Sequence, residues 1–247
     1  MNDRQFDIFF EIHQDLPRQG PGSYDSTKRA VELLHLPTEP RILDVGCGPG
    51  KQTLDLLSLT NGHITAVDYY DVYVDSLWAT AQRLGADRIR VDKADMNALP
   101  YEPESFDLIW SEGAIYIMGF EKGLKEWRSL LKPRGYLAVS EVTWLRPDPP
   151  REVYDYWLEQ YPAMKNIDDN LAIIRKSGYR PIGHFTLPYQ DWWTDYYDHI
   201  ETRLAGFGEK YRHDPEALQV VDMEAVELEM HRRYSDYYGY VFYTMQK

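Results

Sequence analysis

The sequence predicts an α/β protein with a doubly wound, mostly parallel sheet, on three observations. Strand and helix signals alternate from about residue 24 to residue 144, as expected of successive βαβ units. An apolar strand runs directly into a turn built on Gly46, Gly48 and Gly50. Two further strands end on acids, at Asp68 and Asp95, and strand ends are where such sheets bind ligands. A chain of 247 residues buries one sizeable core, so a single domain over 1–247 suits the length.

The elements follow in order. Lys28 to Leu34 reads as a helix ahead of the first strand, Arg41 to Val45. The glycine turn leads into a helix through Leu59, and Asn61-Gly62 turns the chain into strand two, His63 to Asp68. Val74, Leu77, Trp78, Ala81 and Leu84 repeat at helical spacing, and Gly85 ends that helix. Ile89 to Ala94 is strand three and Phe106 to Trp110 strand four. Leu124, Trp127, Leu130 and Leu131 mark a helix that Pro133 stops, and Gly135 to Ser140 opens strand five.

After residue 145 the texture changes. Arg146-Pro147-Asp148-Pro149-Pro150 forms a stiff linker, and Tyr154, Tyr156, Trp157 and Tyr161 follow. A helix over Asp168 to Lys176, an extended stretch over Tyr179 to Tyr189, and a polar, aromatic helical segment over Asp191 to Tyr238 come next. Gly239 to Met245 closes the chain as a strand.

Forty acidic against twenty-seven basic residues give a net charge of −13, with no basic cluster to track phosphates. A nucleic-acid partner is therefore not expected. Cys47 is the one cysteine, which excludes an intramolecular disulfide and suits a reducing compartment. The N-terminus lacks the basic-then-apolar form of a signal peptide, and no apolar run reaches membrane-spanning length. A cytoplasmic protein, monomer or homodimer, without a metal is the expectation.

The glycine turn narrows the function. The dinucleotide fingerprint G-x-G-x-x-G leaves room for a pyrophosphate at the helix N-terminus. Here the order is Gly46-x-Gly48-x-Gly50, with Asp44 two residues ahead. A carboxylate facing that loop repels pyrophosphate and suits a ligand carrying an ammonium and a sulfonium. The string Asp44 to Gly50 resembles motif I of the class I S-adenosylmethionine-dependent methyltransferases, D-x-G-x-G-x-G, and Ala94-Asp95-Met96 with Leu99-Pro100 resembles a second segment of that family. The resemblance covers roughly residues 24 to 144 and the final strand, in a shape similar to the small-molecule group that includes the ubiquinone/menaquinone C-methyltransferases.

The resemblance implies a seven-stranded sheet whose last strand enters antiparallel beside strand five. It also implies an N-terminal cap segment (1–23) and insertions at 146–165 and 190–238 that cover the strand ends and bind the acceptor. S-adenosylmethionine is the implied cofactor and S-adenosylhomocysteine the product. The implied cofactor residues are Asp44, Gly46, Gly48, Gly50, Gln52, Thr53, Asp68, Tyr69, Asp95, Met96 and Glu112. Asp68 would accept from the ribose hydroxyls, Tyr69 lie on the adenine and Asp95 accept from its amino group. Asp92 is the nearby competitor for that last role.

The reaction expected is in-line methyl transfer to a small molecule, which demands no catalytic triad. If a base is needed, Glu112, Tyr116, Glu141 and His184 are the candidates. Tyr24, Tyr116, Trp144, Trp192 and Trp193 would wall the acceptor, with Trp157, Tyr196 and Tyr197 nearby. Ser111-Glu112-Gly113-Ala114 stands where enzymes acting on nucleobase or glutamine nitrogens carry an asparagine-proline tetrapeptide, which argues against those acceptors. The alternatives are an NAD(P)-dependent oxidoreductase and a non-catalytic S-adenosylmethionine-binding module.

Overall fold

A computed structural model describes residues 1–247. Its first part runs α1 (Asp3–His13), α2 (Tyr24–Glu32), β1 (Arg41–Val45), α3 (Lys51–Leu59), β2 (His63–Asp68), α4 (Asp71–Leu84), β3 (Ile89–Lys93), β4 (Phe106–Ser111), α5 (Phe120–Trp127) and β5 (Leu131–Trp144). Then come α6 (Arg151–Gln160), β6 (Lys165–Asn166), α7 (Ile167–Lys176) and β7 (Arg180–Thr186). The turn α8 (Gln190–Trp192), a π-helical turn (Trp193–Tyr197), α9 (Asp198–Lys210), α10 (Pro215–Tyr234) and β8 (Tyr238–Gln246) complete the chain.

The strands lie in the order β3-β2-β1-β4-β5-β8-β7, and β6 adds a two-residue pairing to the end of β5. All neighbours are parallel except β8, which runs antiparallel between β5 and β7. The chain thus moves outward from β1 in both directions, and the switch point falls between β1 and β4. Ligands in such sheets bind there, beyond the carboxyl ends of the strands.

Both faces of the central strands are apolar because both are covered. In β1, Ile42 packs into one core with Leu56, Leu108 and Trp110, while Leu43 and Val45 point to the other with Ile109, Leu137 and Trp127. The first core continues into Ile8 and Ile12 of α1 and Val220 of α10, so the terminal helices share the hydrophobic interior of the sheet.

Some boundaries differ from the sequence reading, for local reasons. The helix expected over Lys28 to Leu34 begins at Tyr24, because the Ser23 hydroxyl accepts from the Ser26 N–H at 3.2 Å and caps it. The helix expected to run to Leu131 ends at Trp127, and Leu131 already pairs with Phe106. The residue ahead of a proline avoids the helical region, so Lys132-Pro133 joins the strand and Arg134, at φ 65°, absorbs the irregularity. Strand three stops at Lys93, one residue early. The helix α1 was not foreseen. It starts at an Asn2/Gln5 capping box, a signature that the polar run Asn2 to Gln5 disguises as a loose terminus. No helix is long and apolar enough to cross a membrane.

Candidate functional site

A cavity of about 410 Å³ opens at the switch point. Its floor is the glycine turn after β1. Gly46 has φ 74°, and a Cβ there would stand 2.5 Å from that of Ala114, so only glycine lets the β1 and β4 ends approach. Asp68, at the end of β2, grips the turn: its Oδ2 accepts from the Gly48 N–H at 2.9 Å and its Oδ1 from the Tyr70 N–H at 3.1 Å. Burial raises the Asp68 pKa, and these two N–H groups oppose the rise.

Gly46, Gly48, Gln52, Asp68, Tyr69, Asp95, Met96, Glu112 and Tyr116 all line the cavity. The Gln52 amide is oriented by the Cys47 carbonyl, which accepts from its Nε2 at 2.9 Å. Asp95 Oδ1 accepts from both the backbone and the side chain of Asn97, which lowers its pKa. Its competitor Asp92 lies outside the lining and accepts instead from Arg90 and Tyr101.

Asp44, Thr53 and Gly50 sit behind this wall rather than in it. The Thr53 hydroxyl donates to Asp44 Oδ2 at 2.6 Å, which ties α3 to β1, while Asp44 Oδ1 is buried without a partner. Burial pushes the Asp44 carboxyl up to about 7, against the opposing pull of that hydrogen bond. The carboxylate expected to face a bound cation therefore acts on the cavity only from beneath the turn.

At the end of β4, Glu112 accepts three hydrogen bonds: from Arg18 Nη1 at 2.8 Å, Thr27 Oγ1 at 2.8 Å and Trp110 Nε1 at 2.9 Å. Arg18 also reaches Asp55 Oδ2 at 2.7 Å. The arginine is 3% exposed, and its Nε has no partner although the residue lines the cavity. Gly22 makes room for this pair, since a Cβ there would lie 2.7 Å from Glu112 Oε2 and 2.8 Å from Arg18 Nη1.

Sequence reasoning missed Arg18 and the aromatic roof. Phe6, Phe9 and Phe10 of α1 line the cavity with Tyr70 and Tyr73, and the Phe10 and Tyr70 rings meet edge to face at 4.8 Å. A lone arginine before a glycine-proline turn has no local mark of burial. The spacing Phe6, Phe9, Phe10 was the readable signal, at helical period.

Other expected acceptor residues lie elsewhere. Tyr24 is exposed at the start of α2, and His184 is exposed on β7, stacked on Tyr243. Trp144 stacks on Tyr154. Trp192 and Trp193 are buried in the core around His231, whose Nδ1 accepts from Trp193 Nε1 at 3.1 Å. Aromatic rings that bridge a cap to a sheet carry the same sequence signature as rings that bind a ligand.

A family model described as a methyltransferase domain matches residues 38–201. The chain is similar to sterol 24-C-methyltransferase ERG6B of Gibberella zeae, 28% identical over 61% of this chain and 42% of that protein. It is also similar to the 27-O-demethylrifamycin SV methyltransferase of Amycolatopsis mediterranei, 26% identical over 90% of this chain and 82% of the other. The chain spans about half the length of several of the curated relatives it matches. Among solved structures, a SAM-dependent methyltransferase from Geobacter sulfurreducens, in complex with S-adenosyl-L-homocysteine, superposes with a TM-score of 0.79 over 97% of both chains at 20% identity. That likeness establishes the fold.

Proposed function

Since this chain belongs to the methyltransferase-domain family, we propose that it transfers a methyl group from S-adenosylmethionine to a small-molecule acceptor. One observation carries the reading: a single cavity at the switch point collects the glycine turn, Asp68, Asp95 with Met96, and Glu112. These come from the ends of four neighbouring strands, which sequence distance alone does not bring together.

The donor set fits the group. Asp68 accepts two backbone N–H bonds and keeps lone pairs for ribose hydroxyls. Asp95 and the Met96 backbone border the adenine position, flanked by Tyr69. The unpartnered Nε–H of Arg18 is a buried donor suited to the carboxylate of an amino-acid moiety. Asp44 and Thr53 hold the turn from behind. The segments 1–23, 146–165 and 190–238 form the cap over the strand ends in this reading, and Phe9 and Phe10 exclude water from the cavity.

When bound, S-adenosylmethionine supplies a methyl carbon that its sulfonium already activates, so positioning supplies much of the rate. With all three of its donors engaged, Glu112 is a structural anion rather than a base. Tyr116 is 40% exposed at the rim of the cavity, where its phenol is a hydrogen-bond donor near neutrality. His184 stands too far out on β7 to take part. A cytoplasmic location accords with the one buried thiol, Cys47.

The test is incubation of the full chain with methyl-labelled S-adenosylmethionine and a metabolite extract. Label should appear in a small-molecule fraction with active protein and not with heat-inactivated protein. Label that stays wholly in the donor across diverse extracts would contradict the assignment.

A further inference from the structure

The far end of the sheet carries a second recess that the cofactor reading does not use. A cavity of about 240 Å³ opens at the amino ends of β1, β2 and β3, where Arg41, His63, Thr65, Asp87, Arg88 and Arg90 supply its polar lining. β1 separates it from the glycine turn. Arg41 begins that strand and Val45 ends it, roughly 13 Å further on at the usual rise per residue.

Strand pairing puts four of these residues on one face. Arg41 lies opposite His63, and Thr65 opposite Arg90. Side chains alternate along a strand, so His63 and Thr65 share a face and bring Arg41 and Arg90 with them. The helices α3 and α4 pack on the alternate residues, Leu56 with Ile64 and Leu77 with Ala66. Parallel sheets usually have both faces covered, yet Arg41, His63 and Arg90 stay exposed.

The lining is basic in an acidic chain. Three guanidiniums face one carboxylate, Asp87, in a protein of net charge −13. Arg88 is engaged by the Leu57, Thr60 and Gly62 carbonyls at 3.1, 3.0 and 2.8 Å, so it fastens the end of α3 and lends the cavity charge alone. Arg90 donates to Asp92 Oδ1 through Nε at 2.9 Å, which leaves both of its Nη groups for another partner. The neighbouring acid Asp107 is taken by the Arg41 backbone N–H and by Lys132. The Arg41 guanidinium makes no ion pair and lies 5.9 Å from the Phe106 ring centroid.

Guanidiniums gathered around one recess repel each other until an anion joins them. Their planar forks match phosphate oxygens in pairs, and Thr65 and His63 add a hydroxyl and a ring N–H. The recess is smaller than the pockets of drug-sized ligands, which begin at about 300 Å³, so its ligand is compact. We propose that it binds a phosphate dianion, free or as the end of a small monoester, held by Arg41, His63 and Arg90. A phosphate diester carries less charge and fewer free oxygens, and is a poor ligand here. The site is separate from the methyl-transfer cavity, and the proposal stands without the cofactor reading.

The test titrates the full chain by calorimetry with inorganic phosphate, monoethyl phosphate and dimethyl phosphate. The two esters are isomers that differ in charge and in free oxygens. The titration is run at about pH 8, above the second phosphate pKa, and at fixed ionic strength, because salt screens exposed charges. Monoethyl phosphate should fill one site at millimolar concentration or below, roughly tenfold more tightly than dimethyl phosphate. Arg41→Gln and Arg90→Gln should each weaken it roughly tenfold. Lys176→Gln removes the same charge from the far end of α7 and should change nothing. Inorganic phosphate bound as tightly as the monoester identifies the free anion as ligand, and weaker binding identifies the ester; either result upholds the site. No binding of either dianion, equal binding of the diester, or affinity unchanged by both arginine substitutions would overturn the proposal. Should a variant fail to fold, the monoester-to-diester ratio in the unaltered chain still decides.

Discussion

Arg18 and Glu112, ninety-four positions apart in sequence, form an ion pair of 2.8 Å in which the side chains are 3% and 5% exposed. The pair ties the segment after α1 to the end of β4, and the second arm of Arg18 carries the tie on to Asp55 of α3 at 2.7 Å. The cavity wall is thus fixed by one guanidinium that bridges two carboxylates. Arginine suits that place because its planar fork serves both partners at once.

Removing the guanidinium leaves Glu112 buried without a cation and Asp55 with Lys51 alone, at 3.1 Å. Arg18→Met is expected to lower stability by about 3–5 kcal/mol, read by chemical denaturation. Arg18→Lys should recover only part, because a single ammonium does not span both partners. A loss below about 0.5 kcal/mol, the range of ordinary surface changes, would show that the pair is not structural.

Asp68→Ala is expected to weaken S-adenosylhomocysteine binding by about 1–3 kcal/mol while the fold survives. The substitution removes the ribose acceptor and also frees the N–H groups of Gly48 and Tyr70. Asp68→Asn, which keeps one carbonyl oxygen, should lose less. Calorimetry on both variants checks it, and unchanged affinity would remove Asp68 from the site.

Thr53→Val keeps the shape of the side chain and deletes the donor to Asp44. A stability loss of about 1–3 kcal/mol is expected, since both oxygens of a buried carboxyl are then unsatisfied. Binding should fall less than in the Asp68 variants, because Asp44 lies outside the cavity lining. A larger binding loss than stability loss would return Asp44 to direct contact.

Glu141 makes stability depend on pH. Burial pushes its carboxyl up to about 8, against an ordinary value near 4.3 when unfolded. Between those values the folded chain holds a proton that the unfolded chain has lost, so this residue's contribution to stability falls as pH rises. Below the unfolded value both states are protonated and the penalty vanishes. Glu141→Gln cannot ionise, so its melting temperature relative to the unaltered chain should rise from pH 5 to pH 8. A difference that stays flat, or runs the other way, would contradict the burial of this side chain, whose Oε1 accepts from Tyr161 while its Oε2 has no partner.

The parts of the fold legible in sequence are those set by neighbours in the chain. The turn from Asp44 to Gly50, the strand ending on Asp68 and the Ala94-Asp95-Met96 segment each carry their signal within a few residues. The antiparallel final strand followed from the family resemblance, and β8 lies between β5 and β7. What stayed hidden depends on distant contacts. Nothing beside Arg18 marks it as buried, because both of its partners come from other elements. Trp192 and Trp193 read as ligand-facing because the sequence does not say which side of a helix meets a cavity and which meets Tyr238 and His231. Glu141 reads as a strand-end charge, and its burial and its one partner, Tyr161 from the loop after α6, come from a distant part of the chain.

Calorimetric titration of the full chain with S-adenosylhomocysteine, with NADH titrated in parallel, bears most directly on the cavity at the switch point. One site per chain is expected, with a dissociation constant on the order of tens of micromolar or lower and no heat from NADH. Absence of S-adenosylhomocysteine binding at such concentrations, or tighter binding of NADH, would contradict the assignment.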